Sequence, residues 1–139
     1  MNRLSPLLFC VLLIACSPLS GGGKTMSSSS SSLRSSDVIV DSPLADAIVT
    51  SPLTVTGKAR GTWYFEASFP VRLLDDEGNE LAVVPAQAQS DWMTKEYVEF
   101  SAVLTFTTTA KTGTLVLQKD NPSGMPEYDR SVSLPVKFP

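Results

Sequence analysis

Few residues of this chain could do chemistry, and their types set narrow limits on it. Histidine is absent, and cysteine occurs only at Cys10 and Cys16. Without histidine there is no Ser–His or Cys–His nucleophile pair, and zinc loses a common nitrogen ligand. Paired-carboxylate hydrolysis needs two acids held across a cleft. Here Asp75, Asp76 and Glu77 are adjacent, and Glu66, Glu96 and Glu99 fall at positions expected to face water. Serine is plentiful enough for a Ser–Lys arrangement, but nothing marks one serine as activated. The oxygen-rich run Asp75 to Asn79, and the later set Asp120, Asn121, Glu127 and Asp129, lack the spacing of a calcium loop and read as solvated turns. The expectation is a chain that catalyses nothing and calls for no metal and no cofactor.

Cys16 is the exception. Arg3 precedes an apolar run from Leu4 to Ala15, and Leu13-Ile14-Ala15-Cys16 closes it with small residues before the thiol. That arrangement resembles the lipobox of a bacterial lipoprotein signal peptide, which implies that residues 1–15 are removed and that Cys16 is acylated as the first residue of the mature chain. A run of twelve residues spans about 18 Å as a helix, short of the roughly 30 Å of a bilayer core, so it reads as a removed segment and not as a permanent span. Several acyl chains, each contributing about 0.8 kcal/mol per buried methylene, hold a protein to a bilayer far more firmly than one chain does. The expected location is extracytoplasmic and membrane-anchored. By the same resemblance, Ser17 in place of aspartate implies the outer membrane of a two-membrane envelope, or otherwise the outer leaflet of the cell membrane.

Cys10 would leave with the signal, so the mature chain has no intrachain disulfide. Losing Arg3 leaves 10 basic and 14 acidic side chains, a formal charge of -4. This balance excludes nucleic acid as a partner class, because that binding needs clustered Lys and Arg. Residues 16–36 are rich in serine and glycine, with Gly21 to Gly23 and Ser27 to Ser32, and read as a lipidated flexible tether. Gly22-Gly23-Lys24-Thr25 ends like a phosphate-binding loop, but the motif's first glycine position is Pro18.

From residue 37 to residue 139 the apolar residues alternate, the mark of half-buried strands. Leu53, Val55, Gly57 and Ala59 share one parity. Trp63, Phe65, Ala67, Phe69, Val71 and Leu73 share another long run, followed by Val98 to Phe106, Leu115 and Leu117, and Val132 to Phe138. With Val38 to Val40 and Leu81 to Val84 this predicts about seven strands. Asp75 to Asn79 and Asn121-Pro122-Ser123-Gly124 supply turn chemistry between them. Pro70, Pro85 and Pro135 cannot donate to a ladder and predict edges or bulges. Trp92 to Tyr97 could form a single helical turn, and no segment shows sustained helical spacing. Many short strands with regular turns predict a two-sheet sandwich.

Aromatic residues are the candidates for recognition. Trp63, Phe65 and Phe69 have the inward parity and are expected in the core. Tyr64 has the opposite parity, Trp92 and Tyr97 lie in an irregular stretch, and Tyr128 follows Pro126-Glu127 in a loop. Exposed aromatics beside polar groups stack on sugar rings or anchor protein partners, and they also cap the rims of cores. The candidate ligand-binding residues are Tyr64, Trp92, Tyr97 and Tyr128.

The stretch Val55-Thr56-Gly57-Lys58-Ala59-Arg60-Gly61-Thr62-Trp63-Tyr64-Phe65-Glu66-Ala67-Ser68-Phe69-Pro70-Val71, with Asp91-Trp92-Met93 and Lys119 to Gly124, resembles the immunoglobulin-like domain of bacterial spore germination. The resemblance covers Val38 to Phe138. It implies an all-β fold, an immunoglobulin-like β-sandwich of about seven strands behind a disordered N-terminal tether, acting as an accessory module of the cell envelope. The expected partners are the membrane, through acylated Cys16, and an envelope protein or peptidoglycan. The expected activity is recognition without turnover. A structural or assembly factor that acts by edge-strand pairing, and a cell-wall hydrolase with an unfamiliar site, are the alternatives.

Overall fold

The computed structural model describes residues 31–139. The signal segment, Cys16 and the first part of the tether lie outside the described residues. Seven strands form where the alternation predicts them: β1 (Val38–Ser42), β2 (Leu53–Arg60), β3 (Ser68–Asp75), β4 (Glu80–Ala88), β5 (Tyr97–Leu104), β6 (Thr112–Gln118) and β7 (Ser131–Lys137). All pairings between them are antiparallel, in the order β1-β2-β5-β4-β3-β6-β7.

The ladder is continuous but unequal. β2 and β5 match over eight pairs, from Leu53 opposite Leu104 to Arg60 opposite Tyr97. β4 and β5 meet only at Gln87 opposite Ser101 and Ala88 opposite Phe100. Six strands have a buried apolar face, Val38 and Val40, Val55 and Ala59, Phe69, Val71 and Leu73, Phe100 and Leu104, Leu115 and Leu117, Leu134 and Val136, while β4 fully buries Ala86 alone. Among the described residues there is no α-helix to cover those faces, so the sheet must cover itself. The short β4–β5 seam is where it folds over, setting β1-β2-β5 against β4-β3-β6-β7. Phe69 on β3 is the hub between the layers. Its ring meets Trp63, Tyr64 and Phe100 edge-on, with centroids 6.0, 5.1 and 5.0 Å away. Such pairs add about 0.5–1.5 kcal/mol each beyond the area they bury. No polar or charged residue among those described is buried.

The prolines fit the ladder. Pro70 and Pro85 face each other across β3 and β4. Two residues without N–H groups can only be a non-hydrogen-bonded pair, and neither has a further strand beside it at that point, because β6 pairs with β3 from Val71 onward and β5 meets β4 from Gln87 onward. Pro135 lies on β7, the outermost strand.

Two expectations need correction. The run from Trp63 to Leu73 is not one strand. It breaks into a 3-10 turn at Gly61–Trp63 and a tight reversal in which Phe65 and Ser68 bridge, with Glu66 and Ala67 at φ values of 50° and 65°. Parity resets across such a break, so Phe65, expected in the core, is 42% exposed, while Tyr64, expected outside, is 4% exposed. Residues 93–96 form bends and no helical turn, and Tyr97, expected in an irregular stretch, is the first residue of β5.

The boundary between tether and domain also differs. Residues 31–36, read from composition as tether, run back along β1. Ser35 N–H donates to Val38 O at 2.8 Å, Val40 N–H to Leu33 O at 2.9 Å and Ala45 N–H to Ser31 O at 3.0 Å. Leu33 packs against the core.

Candidate functional site

The antiparallel register divides the loops between two ends. Residues 61–67, 89–96 and 119–130 share one end, and residues 43–52, 76–79 and 105–111 share the other. Because Ser31 sits beside Ala45, the chain enters at the second end. The first end lies about 26 Å away along β2, at roughly 3.3 Å for each of its residues.

Backbone contacts tie the first end together. Gly61 N–H donates to Glu96 O at 3.0 Å, Asp120 N–H to Trp63 O at 3.0 Å and Ala88 N–H to Ala67 O at 2.8 Å. Residues 92–94 lie directly on Gly61, where a Cβ would overlap the carbonyl oxygens of Thr94 and Trp92. Glycine is required there for close approach. The result is a shallow groove of about 350 Å³ between Thr62, Trp92, Met93 and Lys95, floored by Gly61 and Tyr64.

Of the four aromatic candidates, two are committed to the fold. Tyr64 is buried, and its hydroxyl donates to Val98 O at 2.7 Å. Burial pushes its phenol well above the ordinary tyrosine value. It cannot stack on a ligand, which corrects its place among the binding candidates. Tyr97 is half-buried with Arg60, its register partner, stacked at 3.9 Å from the ring centroid and Lys58 at 5.7 Å. Its hydroxyl donates to Ser36 O at 2.8 Å, so it clasps the entering chain to β5. Trp92 is half-buried along the groove. Tyr128 is 54% exposed on a 3-10 turn at Pro126–Tyr128. Its loop is braced by Asn121, whose side chain donates to Met125 O at 2.9 Å and to Asp129 Oδ1 at 2.7 Å.

Three residues at this end were not singled out from the sequence. Met93 is 76% exposed, Met125 50% and Phe65 42%. Met93 and Met125 sit in stretches without alternation, which is the signal that could have found them. For Phe65 the parity pointed the wrong way. Flexible thioethers adapt to varied surfaces and are common where proteins meet.

The acidic groups form no site. Asp75 is a turn clasp: its carboxylate accepts from the N–H groups of Glu77 at 2.9 Å and Asn79 at 2.8 Å, and from Asn79 Nδ2 at 3.0 Å. The Asn79 side chain, helped by those backbone bonds, holds its carboxyl below the usual range. Among the described residues, no group of three His, Cys, Asp or Glu is placed to hold a metal ion, and no helix is long and apolar enough to cross a membrane.

Two antiparallel layers with loops gathered at the ends define an immunoglobulin-like sandwich. The chain belongs to the immunoglobulin-like domain family of bacterial spore germination, whose model matches residues 37–126. The fold continues beyond the match: β7 pairs with β6 from Ser131 to Lys137 and buries Leu134 and Val136. No curated protein and no solved structure matches the chain.

Proposed function

We propose that this protein is a lipid-anchored, non-catalytic recognition module of the cell envelope, and that the loop end remote from residue 31 meets its partner. The carrying observation is that Trp92 and Met93 on one loop and Met125 and Tyr128 on another lie at that end, with Met93, Met125 and Tyr128 at least half exposed. The family supports a binding or structural module. The sequence around Cys16 supports the anchor, and entry of the chain at the opposite end leaves the loops free of it. The two thioethers favour a protein surface as the partner. The open ring of Tyr128 and the exposed part of the Trp92 ring along the groove favour a second reading, stacking on cell-wall glycan.

One experiment tests both halves. Cells producing the full chain are fractionated, Cys16 is characterised by mass spectrometry, and the chain beginning at Ser17 is applied to purified peptidoglycan and to immobilised envelope proteins. The expectation is an acylated Cys16 and retention on one of the two supports. Retention should fall at least tenfold in a Trp92→Ala, Tyr128→Ala variant whose unfolding midpoint is unchanged. An unmodified Cys16 removes the anchor, and undiminished retention in the variant removes the loop site.

A further inference from the structure

The chain covers two sheet edges with its own backbone, and among the described residues nothing covers the flanks at the β4–β5 seam. The outer edge of β1 is taken by residues 31–35, through Ser35, Leu33 and an isolated bridge between Arg34 and Ile39. The outer edge of β7 is taken by residues 46–49: Asp46 N–H donates to Pro135 O at 2.7 Å, Val49 N–H to Lys137 O at 2.8 Å and Lys137 N–H to Ala47 O at 2.8 Å. At the fold-over seam nothing comparable occurs among the described residues. β4 and β5 part company after Gln87 and Ser101, and each then shows an unpaired flank.

The direction of the free groups follows from the ladder. Ala88 N–H points to the β3 side, to Ala67, and Gln89 N–H points to β5, to Glu99. Alternation therefore turns the N–H and C=O of Val83, and the C=O of Pro85, away from β3 into the opening. Across it, Val103 on β5 is unpaired on the same side. Val83 is 46% exposed and Val103 54%. Beside β4 lies a cavity of about 390 Å³ lined by Pro70, Val83, Pro85 and Asp120, among others.

Charge indicates what fits. Exposed edges are ordinarily guarded by charged side chains, lysine above all. Leu81 to Ser90 and Phe100 to Ala110, the two walls of this opening, contain no ionisable residue. An uncharged strand meets no charge along either wall; Asp120 lines the neighbouring cavity but belongs to neither wall.

We propose that the open flank of β4 accepts an uncharged extended segment of a partner protein as an added strand. The segment exchanges two hydrogen bonds with Val83 and gives one N–H to Pro85 O, and an apolar side chain of the segment lies against the exposed side chains of Val83 and Pro85. Pro85 offers no donor, so it restricts the register to one in which the facing carbonyl needs none. This surface is separate from the loop end proposed above.

The probe is an acetylated, amidated heptapeptide of alternating threonine and valine, titrated into the 15N-labelled chain beginning at Ser17. The expected result is saturable shifts centred on the Val83 amide, with its exchange slowed at least tenfold on binding. Val83→Pro deletes the outward donor, and Val83→Lys keeps the donor but adds a guarding charge. Each should weaken binding at least tenfold, and Val83→Lys decides alone if the proline variant does not fold. The Trp92→Ala, Tyr128→Ala variant should bind the peptide as the parent chain does, which separates failure here from failure of the loop site. The proposal is overturned by absent shifts, by shifts centred on residues 91–96, by undiminished binding in Val83→Lys, or by a concentration-dependent dimer that Val83→Lys abolishes. The last result would assign the edge to a second copy.

Discussion

Gly61 is the residue through which the fold shapes the groove, and replacing it with alanine tests that dependence. Its backbone lies under the carbonyls of Trp92 and Thr94, and its N–H holds Glu96 O at 3.0 Å. The added methyl meets two backbone oxygens, which cannot swing aside as a side-chain end can, so relief requires residues 92–96 to lift. Overpacking of this kind costs about 1–3 kcal/mol, and losing the hydrogen bond adds about 0.5–1.5 kcal/mol. The expected loss for Gly61→Ala is thus about 2–4 kcal/mol, a fall of order 10 °C in Tm for a domain of about 100 residues. The control is Gly78→Ala, where φ is +84° and a Cβ would meet nothing within 4 Å, so the cost is backbone strain alone, about 1 kcal/mol. Urea unfolding gives both values, and the indole N–H resonance of Trp92 reports the loop. A Gly61→Ala chain within about 0.5 kcal/mol of the parent, a threshold at the low end of one hydrogen bond, with an unmoved Trp92 resonance, would refute the seating of the loop on Gly61.

Two further substitutions separate structural groups from binding groups. Tyr64→Phe removes a buried hydroxyl bonded to Val98 O at 2.7 Å and should cost about 0.5–1.5 kcal/mol in urea unfolding while leaving partner retention unchanged. Its neutral form is favoured in the fold, so its stabilising effect is complete below the ordinary value of 10.0 and is lost as pH rises above it. The parent chain should therefore lose more stability than Tyr64→Phe between pH 9 and pH 11, a window of roughly one unit either side of that value. Asp75 has the opposite sign. Its carboxyl is held below the ordinary 3.8, so its stabilising effect is complete above that value and is lost as pH falls below it. The urea midpoint of the parent should drop more steeply on acidification than that of Asp75→Asn, and equal slopes would show that the clasp contributes nothing.

What the sequence revealed, and what it hid, follows from the range of the forces involved. Alternation reports burial of one face within a continuous strand, so Val55 and Ala59, Phe69 to Leu73, and Leu115 and Leu117 were legible as core. It fails where the chain turns without a turn signal. Glu66 and Ala67 hold positive φ with none of the glycine or asparagine that usually marks such a conformation, and Tyr64 and Phe65 were assigned to the wrong sides as a result, while Trp63 and Glu66 fall where alternation put them. Residues 31–36 were hidden for a related reason. Their pairing with β1 is carried by backbone groups, by the Ser35 hydroxyl on Val38, by Tyr97 on Ser36 O and by Leu33, and a serine-rich composition does not reveal which serine is placed to make such bonds.

The same reasoning separates the candidate site into parts that sequence can and cannot supply. Tyr97 becomes structural because register sets Arg60 opposite it, and register is a property of two strands, invisible in either. Tyr128 remains available on a loop braced by Asn121, and Trp92, half-buried against the core, keeps part of its ring on the groove over Gly61. An exposed aromatic is therefore informative only once its neighbours are known to be rigid. A rigid ring at a surface gives up little conformational entropy on binding. By that criterion the loop end, braced by contacts among three connectors, is better prepared for a partner than the acidic turn at Asp75, whose oxygens are already spent on its own backbone.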